Sequence, residues 1–121
     1  MNRAAQAYGK VANQTASPRE LEASLLLRAA AQLQNVRDTW EQSGPKLHDA
    51  IVFNRRLWSM FLASVTENDN PLPREIRQNV ANVGLFVMQQ TLSVMSEPRR
   101  EKLECLIKIN REIASGLMGR A

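Results

Sequence analysis

KLHDAIVFNRRLWSMFLASV, residues 46–65, is the stretch whose reading decides the fold. Leu47, Ala50, Ile51, Leu57, Trp58, Phe61, Leu62 and Val65 recur at helical spacing on one side. Phe53 and Met60 widen that side to roughly 200° of the surface, well beyond the stripe an ordinary surface helix buries. A helix this wide touches neighbours on two sides, so the spacing predicts the central helix of a bundle. Near the middle of the apolar arc sits Asn54, whose amide must find partners if buried, because leaving it unpaired costs about 1–3 kcal/mol.

Working outward toward the N-terminus, Ser43-Gly44-Pro45 ends a preceding helix: glycine supplies a left-handed turn and proline cannot continue the hydrogen-bond ladder. That helix starts at Ser17-Pro18-Arg19-Glu20, with Ser17 as N-cap, Pro18 at the first helical position and Glu20 placed to complete a capping box. Its expected core face is Leu21, Leu25, Leu26, Ala29, Leu33, Val36 and Trp40, with Leu27 off that face. Before it, residues 1–16 read as a short helix or arm; the Tyr8–Val11 pair is helical in spacing, but Gly9 weakens the pattern.

Toward the C-terminus, Asn68-Asp69-Asn70-Pro71-Leu72-Pro73 is an elbow in which prolines fix φ and Asn or Asp bonds the local backbone, so Asn70 or Asp69 is expected to cap the next helix. The next helix runs to about Ser96. Ile76, Val80, Val83, Val87 and Val94 form its main face; Leu85, Met88 and Leu92 form a second apolar strip, and Gly84 marks a close helix crossing. Ser96-Glu97-Pro98 restarts the chain into a last helix with Leu103, Leu106, Ile107, Ile113, Ala114 and Leu117 on its core side. Shifted by 56 positions, this helix echoes the central one, so Asn110 matches Asn54. In an up-down-up-down bundle the two helices are diagonal and parallel, which puts both asparagines at one level of the core.

The expected fold class is therefore all-α: a small helical bundle of four main helices plus a short N-terminal helix or arm, in one domain over residues 1–121 with the bundle at 17–119. Composition agrees, with 44% apolar and 23% charged residues. The net charge of +4 is mild and reads as a solvated surface. Lys10, Arg19, Arg28, Arg37, Lys46 and Arg55 recur every nine residues, but that interval turns successive members to opposite helix faces, so they make no nucleic-acid stripe. Only Arg55-Arg56-Leu57-Trp58 joins basic and aromatic residues, which gives little ground for direct nucleic-acid contact. A single Cys105 and a single His48 allow neither a disulfide nor a Cys/His metal set, and a reducing compartment is expected. Phosphate-loop, HExxH and GxSxG patterns are missing and no acid/base pair stands out, so neither an enzyme nor a cofactor is expected. No apolar run reaches the length of a membrane span and the N-terminus lacks a signal-peptide core, so no membrane insertion and a cytoplasmic location are expected.

Three motifs carry more than periodicity. Phe53-Asn54-Arg55-Arg56-Leu57-Trp58, Asp69-Asn70-Pro71-Leu72-Pro73 and Leu106-Ile107-Lys108-Ile109-Asn110-Arg111-Glu112-Ile113-Ala114-Ser115-Gly116-Leu117 occur in that order and spacing. Together they resemble the flagellar biosynthesis regulator FlaF family of alphaproteobacteria, over nearly the whole chain, including the Tyr8 segment and Trp40. The resemblance implies a small cytoplasmic protein that binds flagellin as a secretion chaperone, promotes its synthesis and export, and works alongside the regulator FlbT, which acts on flagellin messenger RNA. The alternative is a post-transcriptional regulator that contacts that messenger RNA directly. The residues expected to meet the partner are Phe53, Trp58 and Met60 on the apolar side, with Arg55 and Arg56 steering its acidic or polar flanks.

Overall fold

Helices fill most of residues 18–119, the part of the chain that the computed structural model describes. They are α1 (Pro18–Asp38), α2 (Lys46–Val65), α3 (Arg74–Ser96) and α4 (Leu103–Leu117), with 3-10 turns at Trp40–Gln42 and Arg100–Lys102. No strand occurs among the described residues, and the class is all-α. The N-terminal arm, with its Tyr8–Val11 pair, and the Ser17 cap lie outside the described residues.

Cross-helix contacts fix the topology. Arg37 donates to Glu104, and Arg111 donates to Gln34, so α1 and α4 run antiparallel. Arg55 reaches the Met88 carbonyl and the Thr91 hydroxyl, whereas Gly84 lies against Leu62 and Trp58, so α2 and α3 are also antiparallel. The principal packing is α1 on α4 and α2 on α3; a lesser seam joins α1 to α2, and α3 meets α4 less still.

Each connection has a local cause. Gly44 takes a positive φ of 49°, the left-handed turn expected before Pro45. At the elbow, Asn70 does not cap α3. Its Nδ2 donates to the carbonyl and hydroxyl of Ser64, and its Oδ1 accepts from the Leu72 N–H, so the side chain ties the elbow back to α2. Asp69 does not cap it either, because Pro73 stands at the N-cap position without a side-chain bond. From the other side Arg77 donates to the carbonyls of Val65 and Glu67, satisfying the end of α2 with a cation where the helix dipole favours one. Lys102 does the same for α3, donating to the carbonyls of Ser93 and Glu97.

Leu26, Leu33, Ile51, Trp58, Val87, Val94, Leu103, Leu106 and Ile107 form the fully buried centre. Burying each large apolar side chain there is worth about 1.5–3 kcal/mol. Leu21 and Ile76 depart from the expected core faces, at 42% and 44% exposed. Both lie in the first turn of a helix at the same end of the bundle, where the periodicity continues but the neighbouring helices give out. Leu27 is half exposed, as its angular position predicts.

The two matched asparagines meet. Asn110 Nδ2 donates to Asn54 Oδ1 at 2.7 Å, and Trp58 Nε1 donates to Asn110 Oδ1 at 2.8 Å, all three residues being wholly buried. This chain of bonds joins the diagonal helices α2 and α4 at one level. Asn54 Nδ2 is left without a partner.

Candidate functional site: a groove between α1 and α2

The seam between α1 and α2 is open on its outer side. Their antiparallel register puts the Arg28 guanidinium over the Phe53 ring, 5.4 Å from its centroid, a cation–π contact worth about 0.5–1 kcal/mol at an accessible site. Around this pair lies a groove of about 880 Å³. Ala31, Val36, Ala50, Val52 and Phe53 give it apolar surface; Gln32 and Asn35 offer amide donors and acceptors. Three cations, Arg28, Lys46 and Arg56, stand against one carboxylate, Asp49, with His48 beside them. An apolar trough with a surplus of positive charge suits an amphipathic segment with acidic flanks.

Among the described residues no group of His, Cys, Asp and Glu side chains is placed to hold a metal ion. No described helix is long and apolar enough to cross a membrane. Cys105 stands apart on α4, half-buried, and burial pushes its thiol above the ordinary range.

The family model for the flagellar protein FlaF matches residues 4–117, nearly the whole chain and all four helices. The chain belongs to the FlaF family. No match is found among curated proteins or among solved structures. This makes it a flagellar protein, and its FlaF motifs can be followed into the structure. Phe53-Asn54-Arg55-Arg56-Leu57-Trp58 supplies both the groove and the core, because one helical turn and a half visits every side of α2.

The five residues expected at the partner surface accordingly separate. Phe53 and Arg56 line the groove. Met60, seven residues on from Phe53 and so on the same side of α2, is 65% exposed. Arg55 points to the other side of α2, where its guanidinium is bonded to Met88 O at 3.2 Å and Thr91 Oγ1 at 2.8 Å. Trp58 is wholly buried and bonded to Asn110, so it supports the groove through the core. Arg28, Lys46 and the amides of Gln32 and Asn35 were not singled out from the sequence as partner contacts. Their signal was present in the register: a short turn between α1 and α2 pairs residues whose numbers sum to a constant, and Arg28 then falls opposite Phe53.

Proposed function

We propose that this FlaF-family protein binds flagellin in the cytoplasm as a secretion chaperone, and that it thereby promotes flagellin synthesis and export alongside FlbT. The observation that supports this reading is the groove: an apolar floor at Phe53 beneath Arg28, rimmed by Lys46 and Arg56. The family resemblance supplies the client. Segments of flagellin that become helices only in the filament must have their apolar faces covered before export and must then be released. A groove meets both needs, since ordering such a segment on binding consumes about 2–5 kcal/mol of the interaction energy and keeps the complex reversible.

Pull-down with flagellin truncations tests this. The expected result is capture of a terminal segment that persists at moderate salt, because apolar burial rather than phosphate neutralisation carries the affinity. Binding of flagellin messenger RNA that collapses as salt rises, with no flagellin captured, would instead favour direct RNA contact.

A further inference from the structure

α3 carries an apolar strip that the other described helices cover only at Met88. From Gln78 to Ser96 it has no charged side chain, whereas α1, α2 and α4 all carry both signs. Leu85, Met88, Leu92 and Met95 follow one another at spacings of three, four and three, and at 100° per residue they fall within about 80° of the helix surface. This strip lies about 100° from the line of Val80, Gly84, Val87, Thr91 and Val94 that enters the core. Leu85, Leu92 and Met95 are 61%, 55% and 48% exposed. A narrow strip of this period is the seam along which a second helix packs.

The flank of the strip suits a second copy of the same helix. In helix pairs the residues beside the seam select the partner by charge. Here they are amides: Gln89 is exposed, and Gln78 donates to Asn82 at 3.1 Å. An amide both donates and accepts, so it can pair with its own copy across a two-fold axis, where a lysine or glutamate would meet its like. Arg55, the cation that reaches this helix from α2, is bonded to the Met88 carbonyl and Thr91 hydroxyl.

We infer that the Leu85–Met95 strip is a self-association surface, on which α3 of a second copy of this chain packs about a two-fold axis. Two such strips with their flanks bury on the order of 1,000 Å², the lower end for a specific interface, so the dimer is reversible. It leaves the groove between α1 and α2 on each copy open, and it stands independently of what that groove binds.

Sedimentation equilibrium of the full chain, at concentrations up to about 1 mM, tests the inference. The expected result is a monomer–dimer equilibrium that Leu85→Glu with Leu92→Glu weakens by roughly tenfold or more, because carboxylates from both copies are brought into one desolvated seam. Melting curves check the fold, and Gln89→Glu, at an exposed amide beside the seam, is expected to weaken the dimer too and decides the matter should the double variant unfold. A chain that stays monomeric throughout, or a dimer indifferent to these substitutions, overturns the inference. So does a monomer that loses flagellin binding on Leu85→Glu, since the strip would then belong to the client.

Discussion

At the scale of single residues, the buried bond chain from Trp58 through Asn110 to Asn54 makes an unequal pair of substitutions informative. Asn110 serves two partners, so Asn110→Leu strands both the Trp58 N–H and the Asn54 carbonyl oxygen and is expected to cost about 2–5 kcal/mol. Asn54→Leu strands only one donor of Asn110 and removes the amide nitrogen that already lacks a partner, so it is expected to cost clearly less. Urea unfolding measures both, and an Asn54 variant as unstable as the Asn110 variant would show that the bonds do not carry the level. The asparagines were legible in the sequence because each interrupts an apolar arc and the two are related by the 56-residue echo. Their link to Trp58 was not, since which face of an indole meets an amide depends on packing that no periodicity encodes. Cys105 offers a second test. Burial raises its pKa, so less thiolate forms near neutrality than for a free thiol, and modification by a soluble thiol reagent is expected to be slow in the folded protein and fast in urea. Equal rates would mean that the side chain is open to solvent.

At the scale of helices, Gly84 sets how closely α3 approaches α2. A Cβ placed there would lie 2.6 Å from Leu62 Cδ2, 2.8 Å from Leu62 Cγ and 3.3 Å from Trp58 Cε3. Both Leu62 Cγ and Cδ2 would have to move, and Trp58, the next neighbour of that Cβ, is wholly buried and bonded to Asn110. Gly84→Ala gains up to about 1 kcal/mol of helix propensity but forces this repacking, at about 1–3 kcal/mol. The expected outcome is a net loss, read as a melting temperature lower by a few degrees; a rise would show that the helices can part without penalty. The crossing, the four helices and the end of α3 at Ser96 could all be read from glycine, proline and apolar spacing, whereas α1 ends at Asp38 and reaches Ser43-Gly44-Pro45 through a 3-10 turn. The elbow could not be read correctly. Asn-Asp-Asn before two prolines signals local backbone bonding, but the choice between capping α3 and reaching back to Ser64 is made by where α2 ends. Leu21 and Ile76 show the complementary limit, since periodicity gives the side of a helix a residue occupies but not whether a neighbour extends far enough to cover it.

For the whole molecule, the excess apolar width that marked α2 and α3 in the sequence divides into three: core, groove and free strip. Trp58, Ile51 and Phe61 are core, Phe53 is groove, and Leu85 and Leu92 are strip. A sequence pattern cannot make this division, because all three kinds of residue are apolar and helical in phase; only the arrangement of the other helices assigns them. The cationic rim is likewise a product of assembly, Arg28 from one helix and Lys46 and Arg56 from the next. Phe53 lies at its centre and is half-buried, so Phe53→Ala removes the apolar floor and the ring beneath Arg28 while leaving the Trp58–Asn110–Asn54 level in place. Isothermal titration of flagellin into the wild type and into folded Phe53→Ala and Met60→Ala variants is the most direct test. Binding by the wild type that holds at moderate salt and weakens about tenfold or more in Phe53→Ala, with a smaller loss in Met60→Ala, is the predicted result. Absence of wild-type binding, or affinity unchanged in both variants, would contradict it.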